Sequence, residues 1–137
     1  MAVALLIGGS IFGLLGVLHG LYTVSDTHNP RWLVPYDRAV IEGMKTSGLR
    51  LARGRTTMWQ AWLGFNFSHT LGLLMFAGGT IALALSLHAC APAKPTLLIP
   101  AVIGAIYLGL AIRYWFRVPA MGIAIGTLCF LAAWLTY

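Results

Sequence analysis

The sequence predicts an all-α membrane protein: a four-transmembrane-helix up-down bundle with an amphipathic interfacial helix between the first two spans. Three observations carry that prediction. Hydrophobic residues make up 59% of the 137-residue chain and charged residues only 9%. A soluble domain carries roughly 25% charged residues, so this chain could not cover its own surface in water. Apolar stretches of membrane-spanning length recur four times, and the basic residues gather in the gaps between them. A water-soluble enzyme and a disordered chain are both excluded.

The chain reads as one transmembrane domain over residues 1–137, with spans at about 2–23, 57–87, 97–112 and 119–137. No Lys or Arg precedes the first span and no small-residue cleavage pattern follows it. A secretory signal peptide would need both, so this span is expected to stay in the mature protein. Residues 24–56 hold nine of the twelve charged side chains, and so long a loop without structure would be unusual. After Pro35, Val40, Ile41, Met44 and Leu51 fall on one side of a 3.6-residue wheel, with Arg38, Glu42 and Lys45 on another. That pattern predicts a short helix lying in the membrane interface, weakened near Ser47 and Gly48, with Arg38 and Glu42 spaced i, i+4 for an ion pair.

The second span is too long for the hydrocarbon alone, so its first turns, with Trp59 and Trp62, are expected at headgroup level. HACAPAKPT makes a tight connection, and Pro100 is expected near the opening of the third span. RYWFRVP forms the next turn, and Pro119 starts the fourth span. Tyr107, Tyr114, Trp115, Phe116, Trp134 and Tyr137 read as interface-belt aromatics. His28 and His88 read as solvated. Cys90 falls in a loop and Cys129 in an apolar helix, so no disulfide is expected.

The net charge is +6, but position argues against nucleic acid as its partner. The first and third connections carry eight of the nine basic residues, and in an up-down bundle they share a face. The positive-inside rule makes that face cytoplasmic. Residues 24–56 and 113–118 are then cytoplasmic, and both termini lie outside. Arg113 and Arg117 are placed to reach the headgroups.

Inside lipid, small residues mark the faces where helices meet. In the first span Gly9, Gly13, Gly16, Gly20 and Thr23 form a seam; in the second, Gly64, Ser68 and Gly72 recur every four residues; in the fourth, Gly122 and Gly126 do so. These faces serve either packing within the bundle or a dimer.

Polar residues inside a span are costly and draw attention to function. His19 shares a stripe with Gly16, Thr23 and Asp26, with Tyr22 alongside. Trp59, Trp62, Asn66 and His69 follow a 3, 4, 3 spacing on one stripe of the second span. Both imidazoles come out near the cytoplasmic end of adjacent antiparallel helices. They could hydrogen-bond the carbonyl or hydroxyl of a quinone or other lipid-like ligand, walled by Trp59, Trp62 and Tyr22. They could ligate haem, although the glycine seam leaves a porphyrin little room. They could hold a metal with Asp26, although no His-x-x-His, Glu-x-x-His or Cys-x-x-Cys spacing occurs. Or they could bond to each other, or to Asn66, as helix glue. No phosphate loop, nucleophile elbow or paired intramembrane carboxylates occur, so no catalytic residue is assigned, and the balance falls against an enzyme.

The runs LHGLYT (Leu18 to Thr23) and W-x-A-W-L-G-F-N-x-S-H-x-x-G (Trp59 to Gly72) resemble an uncharacterised bacterial family of small four-helix membrane proteins, distantly similar to DoxX-like proteins. The resemblance covers the first two spans by motif and the last two by hydropathy. It implies the four-helix architecture, draws attention to His19, Asn66 and His69, and supplies no activity. DoxX-like members are associated with quinone-linked redox chemistry, for which this chain has no specific motif. The expectation is a small accessory subunit of a bacterial inner-membrane complex, contacting lipids and either other membrane subunits or its own copies. The alternative is a membrane redox or lipid-substrate-binding protein using His19, Asn66 and His69.

Overall fold

The computed structural model describes residues 1–87 and 93–137. Among these it contains α1 (Ala2–His28), α2 (Arg38–Thr46), α3 (Met58–Ser86), α4 (Lys94–Tyr114) and α5 (Arg117–Leu135), and no strand. The four long helices are each apolar and long enough to cross a membrane, and the chain is a small four-helix membrane protein. The expectations for His88 and Cys90 lie outside the described residues.

Several boundaries differ from those expected. Helix α1 runs on past Thr23 to His28, because Thr23 and Asp26 stay on its buried face rather than ending it. Helix α4 opens at Lys94, not near Leu97: Pro95 occupies the first turn, where its missing N–H removes no helical hydrogen bond. Pro100 therefore sits inside the helix, buried, and does not open it.

The chain divides into two compact units, residues 1–16 with 72–137 and residues 17–71. The first is a four-helix bundle whose centre holds one aromatic ring from each long helix. Phe12 of α1 meets Phe76 of α3 edge-on at 5.0 Å between centroids, Phe130 of α5 at 5.6 Å and Tyr107 of α4 at 5.8 Å. Tyr107 is thus a core residue and not an interface-belt aromatic. Its ring also lies 6.2 Å from that of Phe76.

Small residues let the backbones approach around this cluster. A Cβ on Gly8 would fall on the Phe130 ring, and one on Gly126 would stand 2.8 Å from the ring of Phe12. Along α1, Gly9, Gly13 and Gly16 face Ile81, Ala77 and Leu73 in turn, so α1 and α3 run antiparallel. Gly122 packs on Leu15 and Ile11. The buried hydroxyls of Thr80 and Thr127 donate to the carbonyls of Phe76 and Ile123, one turn back. No buried side-chain polar atom among the described residues lacks a hydrogen-bond partner, as a lipid environment demands.

The second unit pairs the C-terminal part of α1 with the N-terminal part of α3 and contains the whole connection between them. Asp37 caps α2 by accepting from the Ala39 N–H at 2.8 Å. Helix α2 buries Ile41. It ends at Thr46, so Leu51 is not on its apolar face, as the wheel suggested, but on the following loop. Glu42 pairs with Lys45 at 2.8 Å rather than with Arg38; in this short helix the i, i+3 partner reaches the carboxylate. After α2, Gly48 and Thr57 form an isolated antiparallel bridge. It closes a tight loop in which Leu49 N–H donates to the Thr56 carbonyl at 2.8 Å and Met58 N–H to that of Ser47 at 2.9 Å. Gly48 is required there, since a Cβ would lie 2.7 Å from the Gly54 Cα.

Candidate functional site

The polar residues singled out in the two motifs come together in the second unit. Asn66 lies eight residues into α3 and His19 nine residues before the end of α1. At 1.5 Å per residue both stand about 12 to 14 Å from those helix ends, which puts them level in an antiparallel pair. Gly20, one residue on from His19, makes the approach close: a Cβ there would meet the Thr70 methyl at 2.9 Å.

His19 Nε2 and Asn66 Oδ1 are 3.0 Å apart in a buried hydrogen bond. The amide nitrogen of Asn66 donates to the Trp62 carbonyl at 2.7 Å. A carbonyl can only accept, so this second bond fixes the amide's orientation and turns Oδ1 toward the imidazole. His19 Nε2–H is therefore the donor. The Thr23 hydroxyl donates to the His19 carbonyl at 2.8 Å, and Thr70 likewise to that of Asn66 at 3.0 Å.

His69 completes the group. Its ring stands edge-on to that of His19, with centroids 4.9 Å apart, and lies nearly parallel to Phe65 at 6.3 Å. It is half-buried, whereas His19 and Asn66 are only 7% and 6% exposed. The arrangement is two imidazoles and one carboxamide between two helices, with aromatic rings beside them. It can offer hydrogen bonds to a carbonyl or hydroxyl. No group of three metal-ligating side chains occurs among the described residues.

The remaining candidates are placed differently. Trp59 and Trp62 stack on each other at 5.0 Å, with Lys45 6.0 Å above Trp59. Tyr22 stacks on Trp32 at 5.1 Å, a partner the sequence did not suggest. Pro30 stands two residues past the end of α1, and the chain reversal there is the signal that could have found it. Asp26 does not join the imidazoles. It is fully buried, and its two carboxylate oxygens accept from the backbone N–H groups of Arg31, Trp32 and Leu33 at 2.7, 2.9 and 2.8 Å. A carboxylate holding three N–H groups anchors the turn that leaves α1.

The expected packing face of α3 also shifts. Gly64 has open space where a Cβ would be, and Ser68 is exposed, its hydroxyl turned back to the Phe65 carbonyl. The residues facing α1 are Asn66, Thr70, Leu73, Ala77 and Ile81, about 180° round the helix from that stripe. A Cβ on Gly72, the third member, would stand 3.6 Å from the Tyr107 hydroxyl oxygen.

Comparison with family models, curated proteins and solved structures yields no match for this chain.

Proposed function

We propose that this four-helix membrane protein serves as a small accessory subunit of a larger assembly in a bacterial inner membrane. The observation that carries this reading is the set of small residues on α3 that the bundle leaves open. Gly64, Gly78 and Gly79 have nothing within 4 Å of a Cβ position, and Ser68 is exposed. Glycine inside a helix costs about 0.5–1 kcal/mol relative to alanine. Gly20 and Gly126 return that cost through close packing within the chain; Gly64 and Gly78 do not. In lipid an open small-residue face admits the backbone of another helix. The resemblance of the two motifs to the uncharacterised bacterial family supports the bacterial placement. The basic connections support a cytoplasmic position for residues 24–56 and 113–118, with both termini outside.

The test is extraction in mild detergent followed by native mass spectrometry. Assemblies larger than the single chain, lost on Gly78→Leu while helix content holds, are the expected result. A stable, monodisperse lone chain from its own membranes would overturn it. Orientation is checked with cysteines at Arg38 and Arg117, both exposed, which should react with a membrane-impermeant reagent only in inside-out vesicles.

The second reading, a redox or lipid-substrate-binding protein, rests on the juxtaposition of His69 with the His19–Asn66 pair beside Phe65. It predicts a lipid-sized or coloured molecule, quinone-like in chemistry, that stays with the purified single chain and is lost on His69→Ala.

A further inference from the structure

The chain has three side-chain carboxylates, and each is already engaged. Asp26 is taken by the three backbone N–H groups after α1, Asp37 by the cap of α2 and Glu42 by Lys45. The connection between α1 and α3 carries five arginines besides Lys45. Among the described residues, Arg31, Arg38, Arg50, Arg53 and Arg55 face no carboxylate; the Lys45–Glu42 pair takes the one that a cation reaches. All five are exposed.

Three of these arginines share the loop closed by the Gly48–Thr57 bridge. The loop is held by its own backbone: Gly54 N–H donates to the Leu49 carbonyl, Arg53 N–H to that of Arg50 and Arg55 N–H to that of Ala52. Arg53 and Gly54 both take positive φ, 49° and 78°, which turns the chain sharply within a few residues. At the same turn Leu51 is 97% exposed. An apolar side chain held wholly in the open among three guanidinium groups has no reason to be there in water. Beside an acyl-chain boundary it does. Tyr36 and Trp32, on the same connection, are also exposed, and Arg31 lies 5.0 Å over the Trp32 ring.

We infer that the loop from Leu49 to Thr56 is a site for the anionic headgroups of phospholipids in the leaflet where α1 ends and α3 begins. Arg50, Arg53 and Arg55 bind the phosphates, and Leu51 enters the acyl region beneath them. The occupant is a lipid surface and not an acidic protein, because the charges come with an exposed apolar anchor on a chain already embedded in that surface. This inference does not depend on the accessory-subunit reading.

The full chain in mild detergent is titrated, under native mass spectrometry, with phosphatidylglycerol or with phosphatidylcholine of the same acyl chains. The wild type should retain the anionic lipid preferentially, and the preference should shrink as salt is raised. R50Q/R53Q/R55Q should lose about fivefold in that preference per arginine removed, while R50K/R53K/R55K should keep most of it. A nitroxide at position 51, in a chain with Cys90 and Cys129 replaced, should be more accessible to oxygen than to an aqueous relaxant in phosphatidylglycerol vesicles. Equal retention of both lipids by the wild type, or unchanged preference in the glutamine variant, would overturn the proposal. Full displacement of the lipid by inorganic phosphate would also overturn it, by showing a site for the free anion.

Discussion

The amide of Asn66 decides which nitrogen of His19 carries the proton. Its NH2 group is committed to the Trp62 carbonyl at 2.7 Å, so its oxygen faces the imidazole at 3.0 Å and can only accept. One carboxamide thereby joins two turns of its own helix and a second helix. The bond closes a polar crossing in the middle of otherwise apolar surfaces.

Polar contacts between membrane helices average about 0.6 kcal/mol and reach about 1.7 kcal/mol in double-mutant cycles. His19→Ala and Asn66→Ala should each destabilise the chain, and the double variant should cost less than their sum by an amount in that range. Unfolding in mixed micelles by denaturing detergent measures it. Strict additivity would show that the two side chains do not act as a pair.

The aromatic cluster should dominate stability. Phe12→Ala removes the ring that touches three others and should cost about 3–5 kcal/mol, as such core truncations do. Gly126→Val forces a branched side chain against Phe12 and should cost about 1–3 kcal/mol through overpacking. The same unfolding assay ranks them, and a Gly126→Val chain as stable as wild type would contradict the packing described.

Gly64→Ala and Gly78→Ala should behave oppositely. Both positions are open in the single chain, so alanine should leave it as stable or stabilise it by about 0.5–1 kcal/mol. If these glycines face another subunit, the same changes should weaken the assembly. Stability of the isolated chain and size of the extracted complex, measured together, separate the two effects.

Asp26→Ala should loosen the turn that leaves α1 by freeing three backbone N–H groups, at a cost of about 1–3 kcal/mol. The effect should be local. Limited proteolysis should show new cleavage between Asn29 and Asp37, with the four long helices still protected; uniform protection would refute the anchoring role.

Hydropathy alone made the four spans legible, because lipid imposes helices and a minimum length on any chain that crosses it. The meeting of His19 with Asn66 and His69 followed from matched depth on antiparallel helices. What could not be read was rotation. Gly64 and Ser68 have the same spacing as Gly9 and Gly13, yet they lie on the far side of α3. Spacing defines a stripe but not the direction it faces when every side of a helix is apolar. Tyr107 was misplaced for the same reason: an aromatic residue suits a headgroup or a ring cluster, and only neighbouring helices decide between them. Asp26 was misread because its partners are backbone N–H groups, which leave no trace in residue identity.

The four rings of the bundle also set an order of events during synthesis. In chain order Phe12 enters the membrane with α1, Phe76 and Tyr107 follow with α3 and α4, and Phe130 arrives with α5. Until then the face of Phe12 that Phe130 will cover is open, beside rings of Phe76 and Tyr107 already in place. A chain arrested before α5 would sit in the bilayer with an open seam along Gly8, ready for quality-control proteases or for the α5 of another copy.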